Sequence, residues 1–247
     1  QKDEDSLPPY EVLDEILEKR LLRAAGAVRI LPAQAVGDDA VFYEDEERER
    51  VIARCHTLRQ QSQKTGNRPN IALADFVAPR GVGVADWVGA FVVTAGLGLD
   101  ELVARFDSEN DDYRGILARS LADRLAEAFA ELIHARVRRE IWGYSAGECL
   151  TSEALIQERY QGIRPAPGYP SCPDHTEKQT VFNLLDAESS VGVRLTESYA
   201  MLPAATVSGW YFSHPDAFYF GVGRVGRDQV EDYAERKGWN IQEAEKW

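Results

Sequence analysis

A proline-rich stretch, RPAPGYPSCPDH at 164–175, places an arginine, a tyrosine, a cysteine and a histidine close together. Proline restricts the residue before it, so Arg164 and Ala166 are held extended, while Gly168 permits a bend that turns Tyr169 back. The guanidinium can pair with a ligand carboxylate, and the carbonyl groups, expected to stay free, can accept from an adenine or ammonium group. From these residues alone, a ligand platform and a rigid connection are both open.

Acidic residues recur at four-residue steps at Asp123, Glu127 and Glu131. This spacing forms a row along one helix face, with Arg124 on its flank. The Asp123 and Glu127 pair could carry acid and base chemistry, but a solvated helix face also carries carboxylates for solubility. No G-x-S-x-G elbow or P-loop is present, so no catalytic residue is predicted.

Two further patterns point to other chemistry. Cys172 with His175, and Cys55 with His56, each make half of a metal site, and because neither has a second pair at ligand spacing, packing and capping are favoured. GVGRVG at 221–226 has the G-x-G-x-x-G spacing of a dinucleotide site, after an aromatic strand and before a helix. A second parallel strand with an acidic ribose ligand does not follow, so a nucleotide-dependent oxidoreductase is the last-ranked hypothesis.

The composition limits the class of partner. The 247 residues carry 41 Asp and Glu against 28 Lys and Arg, a net charge of −13, which argues against nucleic acid and anionic membranes. Hydrophobic residues make up 44%, as in a soluble globular protein. No apolar run reaches the roughly 18 residues of a membrane helix, and no signal peptide is recognised, so a cytoplasmic location is expected. Three cysteines without a CxxC pattern predict reduced thiols and no bound metal.

Helices are predicted from apolar residues at spacings of three and four. The first covers 8–25 with Gly26 as its cap, and the longest covers about 111–144. The apolar stripe of the long helix is formed by Leu117, Leu121, Leu125, Ala128 and Leu132. Shorter helices are predicted at the start of 57–70, at 151–159, at 175–186 and, as one or two helices, over 228–247.

Strands are predicted around glycine-containing turns. GDD at 37–39 turns a hairpin that resumes at Val41, and a third strand is expected near Val51. VADWVGAFVVTAG at 84–96 has the hydrophobicity of a buried strand, and two more strands are expected on either side of a turn at 213–216. Because no repeat or low-complexity linker interrupts the chain, we expect one α+β domain over 1–247.

Together, several segments resemble the C-terminal activation domain of cobalamin-dependent methionine synthase. The most specific are RPAPGYP at 164–170 and VSGWYFSHP at 207–215. The others follow in the family's order: VGDDAVFY at 36–43, TLRQQSQKTG at 57–66, ALADFVAP at 72–79, ADWVGAFVVTAG at 85–96, the long helix at 111–144 and RDQVEDYAERKG at 227–238. The resemblance implies a single curved α+β domain with a twisted antiparallel sheet flanked by helices.

The resemblance also implies a repair function within a methyltransferase. When the cobalt(I) form of the cofactor is oxidised to cobalt(II), such a domain supplies S-adenosylmethionine, while flavodoxin or a flavoprotein reductase supplies an electron. The implied cofactors are S-adenosylmethionine, cobalamin held by another domain, and zinc in the full-length enzyme only. The implied partners are the cobalamin-binding domain of the same polypeptide and the electron donor, with no nucleic acid or membrane.

Carried over by position, the family's ligand contacts fall on seven residues. These are Arg164, Ala166, Tyr169, Glu127, Tyr219, Phe220 and, as a weaker addition, Arg124. Their chemistry suits the ligand, since a guanidinium pairs with a carboxylate, an acid with an ammonium or sulfonium group, and aromatic rings with adenine and the sulfonium face. The resemblance places Asp123 against the cobalamin-carrying domain.

One family motif is missing from the start of the chain. The family carries a motif resembling DWTPFF upstream of the first helix, with an aspartate that contacts S-adenosylmethionine, and QKDEDSLPPYEV at 1–12 lacks it. The chain is therefore expected to be a fragment of a larger enzyme, with the upstream edge of the domain missing, and not catalytically complete alone. The alternative function is a docking module for the cobalamin domain and flavodoxin, with weakened S-adenosylmethionine binding.

Overall fold

A computed structural model describes residues 9–66 and 68–247 of the chain. The α-helices are α1 (Pro9–Lys19), α2 (Leu99–Ser108), α3 (Asp112–Arg136), α4 (Ser152–Ile156), α5 (Glu177–Leu185), α6 (Ala187–Val191), α7 (Arg227–Lys237) and α8 (Ile241–Lys246). The strands are β1 (Arg23–Val36), β2 (Asp39–Tyr43), β3 (Val51–His56), β4 (Asp86–Leu97), β5 (Arg194–Leu195), β6 (Met201–Leu202) and β7 (Thr206–Tyr211). A 3-10 turn, Leu73–Phe76, and a π-helical turn, Val137–Ile141, complete the elements of the described residues.

The main sheet has five antiparallel strands in the order β3–β2–β1–β4–β7, flanked by helices. The hairpin between β1 and β2 turns at Gly37, whose φ of +61° lies in the left-handed region that glycine adopts without strain. Val36 pairs with Asp39 across this turn, and β2 buries all five of its residues. The predicted hairpin, third strand and buried strand are therefore confirmed, as is the α+β class with an antiparallel sheet.

The first helix is shorter than predicted. α1 ends at Lys19 and β1 begins at Arg23, so Gly26 lies inside a strand and does not cap a helix. A Cβ at Gly26 would lie 3.0 Å from Cγ1 of Val93, so the glycine permits close packing at this point of the strand. The leucines at the end of the predicted helix pack against the core from outside a helix, which their spacing alone could not show.

Two other predicted elements do not form. Residues 57–66 and 68–70 contain no helix, because side chains there bond to distant main chain: Gln60 Nε2 donates to the Gly221 carbonyl at 2.8 Å, and Gln61 Oε1 accepts from the Gly226 N–H at 2.6 Å. The prediction of a strand after the 213–216 turn is also wrong, since residues 217–226 are irregular. Its Val222 N–H donates to the Pro170 carbonyl at 2.8 Å instead of to a sheet partner.

One of two compact units comprises, among the described residues, 9–27, Val92–Ala135 and Asp186–Val207. Its described core brings together Val12, Ile16, Ala95, Leu99, Leu102, Val103, Phe106, Ala118, Ala122, Ala126 and Ala205. α3 is confirmed as a long helix, but it ends at Arg136 and buries its alanines rather than the predicted stripe. Leu132 is 54% exposed, because small side chains form the face on which the helix packs.

The other unit comprises Val28–Phe91, Arg136–Leu185 and Ser208–Trp247. In its core, Phe42 stacks on Trp210 with ring centroids 5.1 Å apart, and Phe91 stacks on Tyr211 at 4.5 Å. The predicted capped helix is present as α4, where Thr151 accepts from the Ala154 N–H at 3.2 Å. The single domain over 1–247 stays a prediction. No helix among the residues described has the length and hydrophobicity needed to cross a membrane.

Candidate functional site

The proline-rich stretch is fixed to the end of β7 by main-chain hydrogen bonds. Ile163 and Phe212 exchange two of them, at 2.9 and 3.0 Å, and the Trp210 N–H donates to the Pro165 carbonyl at 3.0 Å. Any Cβ at Gly209 would collide with that Pro165 oxygen, so only glycine allows this approach. Residues 163–169, which we call the proline platform, therefore have a rigid support.

A tight turn follows the platform. The Gly168 N–H donates to the Cys172 carbonyl at 2.7 Å, and the Cys172 N–H donates to the Tyr169 carbonyl at 2.9 Å. Gly168 has a φ of +97°, and a Cβ there would run into the ring of His175. The bend predicted at this glycine is present, and it leaves Tyr169 60% exposed at the edge of the platform.

The expectation that the carbonyls of this stretch stay free is wrong. Those of Pro165, Ala166, Tyr169 and Pro170 each accept a main-chain N–H. Proline removes donors within the stretch, but donors from other segments reach the carbonyls. A carbonyl oxygen has a second lone pair, so ligand contacts at these atoms are limited rather than excluded.

Arg164 and Tyr219 are brought together at the platform. The Arg164 N–H donates to Tyr219 Oη at 3.0 Å, although 55 residues separate the two positions. The Ala166 carbonyl accepts from the Tyr169 N–H at 3.1 Å, which links the other two platform residues. A partly buried guanidinium and two phenol groups thus lie on one support, an arrangement able to bind a carboxylate and an aromatic ring.

Phe220 lies in an aromatic cluster beside these residues. Its ring meets the rings of Phe76 and Phe218 edge-on, with centroids 6.2 Å apart in each case. It also packs against buried Leu58, Val222 and Tyr233. Phe220 therefore anchors the irregular segment that carries Tyr219.

The remaining predicted site residues belong to the unit that contains α3. Asp123, Arg124 and Glu127 all lie on α3 and are exposed to solvent. Glu131 continues the row, with one of its carboxylate oxygens buried. The predicted row of carboxylates on one helix face is therefore present.

A buried ionic network lies directly after the turn. Lys237 Nζ donates to Asp174 at 2.6 Å and to Glu177 at 2.8 Å, and Tyr233 Oη donates to Asp174 at 2.7 Å. Burial alone would raise the pKa of Asp174, but the Lys237 ammonium and the donated hydrogen bonds hold it below its ordinary value. Burial raises the pKa of Glu177, although Lys237 opposes the change. This network ties α5 and the end of the proline-rich stretch to α7.

The cysteine and histidine side chains that could form halves of a metal site have other partners. His56 Nδ1 lies 3.0 Å from an Asp39 oxygen, and His175 Nδ1 lies 2.7 Å from Lys178 Nζ. Cys55 lies beside Cys172, which together with burial raises the pKa of the Cys55 thiol. Within the described part of the chain, no group of three His, Cys, Asp or Glu side chains is placed to hold a metal ion.

Sequence reasoning missed a group of residues behind the platform. Tyr160 contacts both Arg164 and Tyr219, and its ring lies under the buried guanidinium of Arg138, which pairs with Glu148. Arg138 lies in the π-helical turn, and Glu148 follows ten positions later in irregular chain, so no periodicity links the two residues. The only signal in the sequence was the position of Tyr160 four residues before Arg164.

Comparison with known proteins identifies the family. The family model for the activation domain of vitamin B12 dependent methionine synthase matches residues 9–238. The chain belongs to this family. A crystal structure of the MetH reactivation domain bound to AdoHcy is 54% identical in sequence with a TM-score of 0.94, and the match covers 97% of this chain and 73% of that chain. The resemblance found in the sequence is thereby confirmed, and the chain is an activation domain of a cobalamin-dependent methyltransferase.

In this activation domain, the segment around GVGRVG lacks the parallel strands that a dinucleotide site needs. The main sheet is antiparallel, and the residues before GVGRVG form no strand. A dinucleotide motif needs a parallel βαβ unit in which the glycine turn joins a strand to a helix. The glycines instead lie in the irregular segment that leads to α7.

Proposed function

We propose that the chain binds S-adenosylmethionine on the proline platform and supports the reductive methylation of cob(II)alamin to methylcobalamin, which reactivates methionine synthase. The observation that carries the proposal is the relative with AdoHcy bound, since AdoHcy is what remains of S-adenosylmethionine after methyl transfer. The contact between Arg164 and Tyr219 supports a binding site at this point of the chain.

The proposed contacts divide the ligand into three chemical parts. Arg164 pairs with the amino-acid carboxylate, for which its planar fork of donors is suited, and Ala166 contributes main-chain contacts. Tyr169, Tyr219 and Phe220 supply aromatic surface for the adenine and the sulfonium. Glu127, with Arg124 as a weaker addition, completes the set, its carboxylate suited to an ammonium or sulfonium charge.

The proposed reaction requires positioning rather than proton transfer. A one-electron reduction, by flavodoxin or a flavoprotein reductase, converts cob(II)alamin to the cobalt(I) nucleophile, whose electron pair bonds to the methyl group while the carbon–sulfur bond breaks and its electrons stay on sulfur. Because no proton moves, the chain needs no acid or base at the reacting atoms. Its residues bind the methyl donor, orient it and exclude water.

We further propose two partners for the activation domain. The cobalamin-binding domain of the same polypeptide has to reach the methyl group, and we assign Asp123, which is exposed on α3, to that contact. The electron donor is flavodoxin or a flavoprotein reductase. With its net charge of −13, the chain is expected to bind neither nucleic acid nor anionic membranes.

Calorimetric titration with S-adenosylmethionine tests the proposed site. The Arg164→Ala variant loses a charge-assisted pair, so its affinity is expected to fall about 10- to 100-fold. Arg159→Ala is the matched control, because Arg159 is an exposed arginine in the same segment and its variant is expected to bind like the wild type. Equal affinity of Arg164→Ala and the wild type would contradict the assigned role.

A further inference from the structure

Tyr160 is in contact with two of the residues proposed to bind the ligand. Arg164 Nη1 donates to Tyr160 Oη at 3.4 Å, and Tyr160 Oη lies 3.4 Å from Tyr219 Oη. Tyr219 Oη in turn accepts the Arg164 main-chain N–H at 3.0 Å. One phenol group thus links the side chain of Arg164 to the residue that holds its main chain.

The ring of Tyr160 is itself held from behind. The Arg138 guanidinium carbon lies 4.3 Å from the ring centroid, a cation–π arrangement. Arg138 is fully buried and makes two hydrogen bonds of 2.8 Å to the Glu148 carboxylate. Because the ion pair keeps Arg138 in place, the phenol has a defined position relative to the platform.

We infer that Tyr160 is a positioning residue that directs the Arg164 guanidinium toward the carboxylate of the ligand. The inference rests on the proposed function. Binding one guanidinium nitrogen to Tyr160 removes rotational freedom from a long side chain, which lowers the entropy cost of pairing its planar fork of donors with a carboxylate. Both contacts to Tyr160 are at the long limit for a hydrogen bond, so the expected effect is a moderate gain in affinity rather than an all-or-none requirement.

Two ligands that differ in the amino-acid part separate positioning from general structure. Calorimetry of the 247-residue chain would use AdoHcy and 5′-methylthioadenosine, which lacks the carboxylate and the amino group. Tyr160→Phe removes the hydroxyl and keeps the ring under Arg138. We expect the Kd for AdoHcy to rise about fivefold, as for the loss of one hydrogen bond, with the Kd for methylthioadenosine unchanged within about twofold.

Tyr144→Phe is the matched control. It also removes a phenol hydroxyl from this region, one that is buried and makes no hydrogen bond within the described structure, so both affinities should stay at the wild-type values. Equal weakening of both ligands by Tyr160→Phe, or no weakening of either, overturns the inference and leaves the proposed function standing. Failure of the wild type to bind AdoHcy overturns both. Thermal unfolding of each variant confirms that the chain remains folded.

Discussion

At the scale of single residues, Gly168 determines the backbone path of the proline platform. Its φ of +97° lies in the left-handed region, and the imidazole of His175 covers the side where a Cβ would point. Burial and the neighbouring Lys178 lower the pKa of His175. The glycine therefore meets two requirements, a backbone conformation and a close approach.

Gly168→Ala should destabilise the chain and weaken AdoHcy binding. A side chain in the left-handed region costs about 1–2 kcal/mol, and the collision with His175 adds to that. Because Tyr169 follows directly, we expect the AdoHcy affinity to fall about tenfold or more. Urea unfolding and calorimetry measure the two effects.

Gly223→Ala provides the comparison for this prediction. Gly223 has a φ of +78°, but no atom lies within 4 Å of a Cβ built there, so only the backbone cost applies. The Gly168 variant should therefore be the less stable of the two. Equal destabilisation would show that the contact with His175 has no effect.

Sequence reasoning found only part of the site at this scale. Arg164, Tyr169 and the bend at Gly168 follow from the local chemistry of proline and glycine, which acts over one or two residues. Tyr160, Arg138 and Glu148 could not be found this way, because their contact depends on a π-helical turn and on irregular chain. The carbonyls of the stretch were expected to be free because their donors lie in distant segments, such as Trp210 and Val222.

At the scale of secondary-structure elements, the alanines of α3 form the face on which this helix packs. Ala118, Ala122 and Ala126 are almost completely buried in the core of their unit, while the leucines predicted to form the stripe are partly buried or exposed. A face of small side chains brings a helix backbone close to its neighbours and leaves little space for a larger residue. Positions on this face should therefore tolerate less added volume than the predicted stripe.

Ala122→Leu should reduce the free energy of unfolding by about 1–3 kcal/mol, because the added methylenes overpack a filled site. Ala128→Leu, on the same helix at an exposed position, should change it by less than about 0.5 kcal/mol. Denaturant unfolding of both variants provides the test. A larger effect at Ala128 would mean that the leucine stripe is the packing face after all.

The elements themselves were predicted unevenly, for physical reasons. The hairpin at Gly37 and the long helix α3 follow from local signals, a glycine turn and helical spacing. Helical spacing also covered 20–25, where the chain is in fact leaving α1 for β1, because apolar residues near a helix end can pack from a strand as well. The helix expected in 57–70 failed because Gln60 and Gln61 bond to main chain more than 150 positions away.

Buried charge is the feature of the whole molecule that responds to pH. The pKa of Asp174 is lowered, since Lys237 and its hydrogen bonds outweigh the effect of burial. The pKa of Asp39 is lowered in the same way, against burial, by His56 and Arg236. An unfolded chain therefore takes up protons at these carboxyls before the folded chain does. Their contribution to stability is complete above the ordinary pKa of 3.8 and is lost as the pH falls through the lower folded values.

The free energy of unfolding should fall as the pH drops below about 4, and Asp174→Asn should flatten that decline. At pH 7 the variant is expected to be less stable by about 3 kcal/mol, because Lys237 loses a buried partner. The difference between the two proteins should narrow as the pH falls below about 4 and the wild-type carboxyl becomes protonated. Urea unfolding at several pH values measures this, and a difference that stays constant would contradict the assigned pKa shift. The raised pKa of Glu177 acts in the opposite direction, and because the Asp174 charge contributes to it after burial, this effect should be smaller in the variant.

The position of the ligand is the central claim about the whole molecule, and a crystal structure of the chain grown with AdoHcy tests it most directly. We expect the carboxylate of AdoHcy within hydrogen-bonding distance of the Arg164 guanidinium, and the ligand in contact with Tyr169 and Tyr219. Tyr160 should remain in contact with the same guanidinium. AdoHcy bound away from residues 163–169, with Arg164 turned from its carboxylate, would contradict the account.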